Sequence, residues 1–184
     1  MEFPTHRGKE AETYDLYRWW LGIPLGDLLD RAADLYPKKE ALTDDRVRLT
    51  YAGLRERVDR LAIGLIDLGL EKGDTVLLQL PNWAEFVFSF FALQKIGCIP
   101  VLLISGYRQY EVTHLCHLTE AKAWIVPDLY RKMDYLSFMG EVKKENPQLR
   151  YIISARAHKE DGPFAISLEK LMGRRLRMHC RNMQ

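Results

Sequence analysis

The hydrophobic rhythm of the chain changes once along its length. From Pro24 to Leu70 apolar residues recur at helical spacing, whereas from Asp74 onward short apolar runs alternate with helix-length segments. In the first part Leu25, Leu28, Leu29, Ala32 and Leu35 fall on one helical face, Pro24 suits a first helical position, and Pro37 stops the run. Two β-prone stretches, Glu40 to Thr43 and Val47 to Thr50, flank Asp44-Asp45-Arg46 and predict a hairpin. The clearest helix follows: Leu54, Val58, Leu61, Leu65 and Leu68 recur at steps of four and three, with Arg55, Glu56, Asp59 and Arg60 on the other side. Thr50 is its expected N-cap. Gly69 followed by Leu70 fits a helix end in which glycine turns left-handed and the next apolar residue folds back.

The second part contains four strand-like runs, Thr75 to Leu80, Cys98 to Ile104, Lys122 to Val126 and Arg150 to Ser154. They begin roughly 25 residues apart, enough for a crossover helix between each pair. Both alternate faces of Val76-Leu77-Leu78 and of Ile99 to Ile104 are apolar, which predicts a mostly parallel sheet covered on both sides, joined by right-handed crossovers. The first crossover begins Pro81-Asn82-Trp83-Ala84-Glu85, where Asn82 and Glu85 have capping-box spacing. Its body, Phe86, Val87, Phe88, Phe90, Phe91 and Leu93, is apolar nearly all round and must be enclosed. Arg108 to Leu118 and Asp134 to Glu145 read as amphipathic helices, the second ended by Asn146-Pro147. The fold class is therefore α/β.

Composition narrows the function. With 184 residues, 47% hydrophobic and 28% charged, the chain can bury a core and is not of disordered composition. The formal charge of +2 is concentrated in Arg174, Arg175, Arg177 and Arg181, so residues 1–173 sum to −2 and no broad nucleic-acid footprint is expected. Those four arginines lack an aromatic platform and read as a solvated tail. Cys98, Cys116 and Cys180 are an odd set with wide spacing, and Met1-Glu2-Phe3-Pro4 offers no signal-peptide pattern; a reducing cytoplasm is expected. The apolar stretch from Trp83 to Ile104 is interrupted by Glu85, Gln94, Lys95, Gly97 and Pro100 and reads as core, not as a membrane span.

Candidate chemistry is sparse. Gly64 and Gly69 have P-loop glycine spacing, but Leu70-Glu71 stands where Lys-Ser/Thr would hold phosphate and magnesium, and no Gly-x-Gly-x-x-Gly or Gly-x-Ser-x-Gly occurs. His114, Cys116 and His117 include two metal-ligand types on one predicted helix, yet Cys116 points to a different face and no second cluster completes a shell. Asp44 and Asp45 read as turn residues, because adjacent carboxylates in a turn diverge into solvent. Arg108 and Glu111 are spaced to pair on the first turn of their helix, which would orient the loop Ser105-Gly106-Tyr107, a substrate contact there being the less favoured reading. No catalytic, cofactor-binding or metal-ligating residue is assigned.

Several stretches taken in order resemble the amino-terminal portion of the adenylate-forming ligase superfamily. They are Leu49-Thr50-Tyr51-Ala52-Gly53-Leu54, Gly69-Leu70-Glu71-Lys72-Gly73-Asp74-Thr75-Val76, Leu80-Pro81-Asn82 with Glu85-Phe86, and Phe91-Ala92-Leu93 through Gly97-Cys98-Ile99-Pro100-Val101. The continuation, Arg108-x-x-Glu111, Glu120-Ala121-Lys122-Ala123, Pro127-Asp128 and Asp134-Tyr135, is most similar to aryl-acid ligases that adenylate dihydroxybenzoate, with acyl-CoA ligases next. Ile104-Ser105-Gly106-Tyr107 departs from the family in lacking a proline before the arginine, and the likeness ends near Leu171.

The resemblance implies an organisation and an activity. Residues 1–22 would form an N-terminal arm, 23–171 the first part of the large N-terminal domain of such a ligase, and 172–184 an atypical basic tail, making the chain a truncated gene product or an excised piece. For the full-length family it implies ATP and Mg2+, a carboxylic acid substrate, an acyl-adenylate intermediate, and capture by the pantetheine thiol of coenzyme A or a carrier protein. This chain alone, without a Ser-Gly-Thr-Thr-Gly-like loop, is expected to bind no cofactor, to be inactive and to self-associate through uncovered apolar surface. The alternatives are a non-enzymatic α/β binding or scaffolding module, with the helix around Phe90 docking a partner, and a complete small α/β enzyme.

Overall fold

The computed structural model describes residues 8–20, 22–157 and 164–173. The arginine-rich segment from Arg174 to Arg181 lies outside them. Within the arm, helix α1 (Lys9–Leu16) buries no residue, and Tyr14 packs its ring against Trp19 and Trp20 at centroid distances of 5.5 and 5.1 Å.

Helix α2 (Leu25–Leu35) starts one residue after Pro24, and it is turned differently from the leucine pattern. Leu25, Leu28 and Leu35 are exposed, while Gly26, Leu29 and Ala33 face inward. The cause is a close crossing with α4 (Ala84–Lys95): a Cβ on Gly26 would stand 3.1 Å from the Lys95 Cα. The Lys95 ammonium seals this crossing by donating to Asp30 and Asp59, at 2.5 and 2.6 Å.

Strands β1 (Glu40–Thr43) and β2 (Arg48–Thr50) form the expected antiparallel hairpin. Helix α3 (Tyr51–Leu68) has both predicted ends. Thr50 accepts from the Gly53 N–H, Gly69 sits at φ +102°, and the N–H of buried Leu70 returns to the Leu65 carbonyl at 3.1 Å.

Gly64 lies inside α3, where a Cβ would meet the Leu171 carbonyl oxygen of α7 (Leu168–Met172) at 2.4 Å. Neither backbone can yield without parting the two helices. Gly64→Ala is therefore expected to cost about 1–3 kcal/mol. Gly53→Ala, whose nearest neighbour would be at an ordinary 3.6 Å, should be neutral or slightly stabilising, and urea titrations of the two variants check the contrast.

The five-stranded sheet has the order β4-β3-β5-β8-β9, with every neighbouring pair parallel: β3 (Thr75–Leu78), β4 (Ile99–Leu102), β5 (Ala123–Pro127), β8 (Tyr151–Ala155) and β9 (Ile166–Ser167). Helices α4, α5 (Gln109–Thr119) and α6 (Leu136–Glu145) make the crossovers, and β6 (Leu129–Tyr130) and β7 (Met133–Asp134) form a small hairpin before α6. One sheet face, carrying Val76, Leu78, Ala123, Ile125, Ile153 and Ala155, packs with core residues of α2, α3, α4 and α7. The other, carrying Leu77, Trp124, Val126 and Ile152, packs with core residues of α5 and α6. The chain steps from β3 out to β4 and then back past β3 to β5, so the winding reverses between β3 and β5.

Coverage on both sides holds for β3, β5 and β8 but not for β4, an edge strand in which Leu102 is 55% exposed. The Ile99 and Leu103 N–H groups bond to Asp74 and Leu78 of the β3 side, so Pro100 and Leu102 direct their backbones outward. Pro100 has no N–H to offer an added strand, a feature that blunts an open edge.

Helix α4 is less enclosed than its composition suggests: Phe88 and Leu93 are buried, while Phe86, Phe90 and Phe91 are half-buried. Its first turn is also capped otherwise. The helix begins at Ala84, after Trp83, and Asp44 of the hairpin loop takes the Ala84 N–H at 2.9 Å, in place of Asn82.

Candidate functional site

In a parallel sheet the crevice beyond the carboxyl ends of the strands, at the reversal of winding, is where ligands bind. Here that edge carries two connected clusters of buried polar side chains. The first centres on Arg156, the residue after β8, which is 8% exposed and held at φ +56°. Its guanidinium bonds Glu85 at 3.0 Å, Asp45 at 3.0 Å and Asp44 at 2.6 Å, and lies 4.1 Å from the centroid of the Trp83 ring. Its backbone N–H donates to Glu169.

Asp44 completes the cluster. Burial alone would raise its pKa, but N–H donors from Ala84, Arg46 and Val47, together with the Arg156 charge, outweigh burial and hold it at about 2. Asp44 thus keeps the expected turn role, accepting from Arg46 and Val47, but is shielded from solvent and also ties the hairpin to α4 and to Arg156. Asp45 remains largely exposed.

The second cluster underlies the β4–α5 loop. Gln79, fully buried at the end of β3, accepts from the Trp124 indole N–H at 3.1 Å and donates to the carbonyls of Ile104 and Tyr107 at 3.1 and 2.9 Å. The Tyr135 hydroxyl donates to the Ser105 carbonyl, and the Ser154 hydroxyl donates to Asp128. Above this platform, between the β4–α5 loop and the β6–β7 hairpin, opens a cleft of about 270 Å³. Ser105, Gly106, Arg108, Tyr130, Arg131 and Lys132 are among its lining residues. The clusters meet through Trp83, whose ring stands edge-on to that of Tyr130 at 5.5 Å.

The sequence candidates fall variously. Arg108 and Glu111 do meet, through the Arg108 backbone N–H and the Glu111 carboxylate at 3.0 Å, and Arg108 lines the cleft. His114 and His117 are exposed, whereas Cys116 lies in the core, where burial pushes its thiol up to about 12. That geometry brings no three-residue ligand set together, and no such group of His, Cys, Asp and Glu occurs among the described residues. Glu85 serves Arg156 and not a capping box. Sequence reasoning missed Gln79, Trp124 and Arg156; for Gln79 and Arg156 the available signal was their position at or just beyond the carboxyl ends of predicted strands, whereas Trp124, inside β5, carried none.

A doubly wound parallel sheet with a polar, partly cationic crevice at its carboxyl edge has the arrangement in which α/β domains bind ligands. Residues 29–172 match the family described as AMP-binding enzyme, and the chain belongs to that family. The 2,3-dihydroxybenzoate-AMP ligase of Bacillus subtilis is 39% identical over 84% of this chain and 29% of its own length. A salicyl-AMP ligase / salicyl-S-ArCP synthetase of Mycobacterium tuberculosis is 36% identical over 88% of this chain and 28% of its own. Among solved structures, Mycobacterium smegmatis MbtA in its apo form superposes with a TM-score of 0.79 and 32% identity, covering 94% of this chain and 30% of that one. The chain thus spans under a third of the length of these relatives. No helix among the described residues is long and apolar enough to cross a membrane.

Proposed function

We propose that this chain is the amino-terminal part of a ligase that activates an aryl carboxylic acid as its adenylate and passes it to a pantetheine thiol. The observation that carries this reading is the breadth of the likeness: relatives named for dihydroxybenzoate and salicylate match more than four-fifths of the chain. A carboxylate is a poor electrophile, and its attack on the α-phosphate of ATP gives an acyl-adenylate and pyrophosphate. Thiol attack on that adenylate then gives the thioester and AMP.

The described residues do not themselves fit a nucleoside triphosphate with Mg2+. Asp44 and Glu85 are committed to Arg156 and Asp128 accepts from Ser154, and among the described residues no glycine-rich turn aims several amides at one phosphate. What these residues do fit is the acceptor side. The cleft beside Arg108, Arg131 and Lys132 is open and cationic, suited to the phosphate of a phosphopantetheine arm.

The test is acid-dependent exchange of labelled pyrophosphate into ATP. It compares the chain alone with a chimera in which the chain replaces the matching portion of the Bacillus subtilis relative. The chimera should exchange with dihydroxybenzoate or salicylate, and the chain alone should not, because losing even one oxyanion donor typically costs about 10²- to 10³-fold. Exchange that follows the isolated chain through repurification would overturn the reading, as would a folded chimera that accepts medium-chain acids and refuses aryl acids.

A further inference from the structure

We propose that Gln79 is a positioning residue: oriented by Trp124, its side-chain amide sets the conformation of the 104–108 loop and so the shape of the acceptor-facing cleft. The acceptor assignment rests on the function proposed above; the positioning role does not.

The chemistry of the amide makes the arrangement specific. An indole N–H can only donate, so it fixes the Gln79 oxygen toward Trp124 and turns the NH2 toward the loop. Both N–H bonds of that NH2 are then used, one on the Ile104 carbonyl and one on the Tyr107 carbonyl. Those two residues are the ends of a turn closed by the Tyr107 N–H to the Ile104 carbonyl at 3.1 Å, so one side chain holds both ends of one turn. Tyr135 takes the Ser105 carbonyl between them. Three carbonyls drawn inward oblige the N–H groups of Ser105 and Gly106, on the far side of planar trans peptides, to face outward.

No other residue type reproduces this. Glutamate would keep the acceptor for Trp124 but lose both donors, and leucine would fill the space while taking a donor from both carbonyls and leaving the buried indole N–H unpaired. The donors are buried and the loop is exposed at Ile104, Gly106 and Arg108, so the information runs from core to loop.

The chain itself supplies the first test. Trypsin cleavage after Arg108 requires the loop to open, whereas cleavage after Arg150, where the chain enters β8, reports opening of the sheet. Gln79→Leu and Trp124→Phe should each accelerate the Arg108 cut on the order of tenfold relative to the Arg150 cut, the signature of local opening. Trp124→Phe removes the indole donor together with part of the ring volume but leaves the Gln79 side chain in place, so it decides the matter if Gln79→Leu fails to fold, the Arg150 cut reporting any general loosening by the smaller ring. Equal acceleration at both sites would overturn positioning and leave Gln79 a general core residue.

In the chimera, Gln79→Leu should raise the KM for the pantetheine thiol about tenfold while the KM for the acid moves less than about twofold. An unsubstituted chimera without exchange would defeat the functional reading and leave the trypsin result to decide positioning. Local opening with an unchanged thiol KM would overturn the acceptor assignment.

Discussion

Replacing Arg156 by alanine is expected to destabilise the chain by about 3–5 kcal/mol, the range for removing one partner from a buried ion cluster. The loss comes from what stays behind. Asp44 and Glu85 side chains are only 10 and 11% exposed, and without the guanidinium they would keep their burial and lose their cationic partner. Arg156→Lys should recover a minor part, since an ammonium cannot reach Asp44, Asp45 and Glu85 in one plane or stack flat on Trp83. Arg156→Gly should be less damaging than alanine by about 1 kcal/mol, because the position sits in the left-handed region. Urea titrations of the three variants check the order; a loss below about 1 kcal/mol for alanine would mean that water already solvates the cluster.

The same cluster sets an acid limit. The Asp44 pKa is depressed from an ordinary 3.8 to about 2 on folding. A depressed carboxylate contributes stability that is complete above the unfolded value and is lost as pH falls through the folded one. The Asp44 contribution should therefore be intact at pH 5 and drain away between about pH 4 and pH 2. Asp44→Asn should lower stability at neutral pH and flatten the acid limb, as followed by thermal melts across that range.

Local grammar made much of the fold legible. Thr50 and Gly69 mark the ends of α3 as their backbone chemistry requires, and four apolar runs become four parallel strands. What could not be read locally are decisions made by distant residues. Asn82 has a cap's chemistry, but Asp44, forty residues earlier, reaches the same helix start. Leu25, Leu28 and Leu35 make a convincing stripe, yet the tight crossing at Gly26 turns α2 so that Leu29 and Ala33 are inside. The candidate site is of the second kind almost throughout. Gln79 and Trp124 are 45 residues apart, Glu85 and Arg156 71, and neither pair has a periodic signature. Arg108 with Glu111 was visible because three residues on one helix turn are a local spacing.

The helix between β3 and β4 carries the last expected result. Its phenylalanine-rich sequence suggests that Phe90 or Phe91 anchors the core, but the residue that faces the sheet squarely is Phe88, 1% exposed. It belongs to the cluster that joins Val76 and Leu78 of the sheet to Leu61 and Leu65 of α3, so its ring fills the space between two layers. Phe88→Ala is therefore expected to cost about 3–5 kcal/mol, the transfer term plus a cavity that rigid neighbours on both sides cannot close. Phe90 and Phe91 meet edge-on at 5.6 Å with one side of each open, and alanine there should cost roughly half as much, because water or a shifted neighbour can fill the gap. Phe88→Leu, which stays apolar and refills part of the ring's space, should lose clearly less than alanine. Equilibrium unfolding of the four variants under identical conditions gives the order directly. A loss at Phe88 no larger than at Phe91 would show that α4 is rotated on the sheet, and with it the Glu85 carboxylate that meets Arg156 one helical turn earlier.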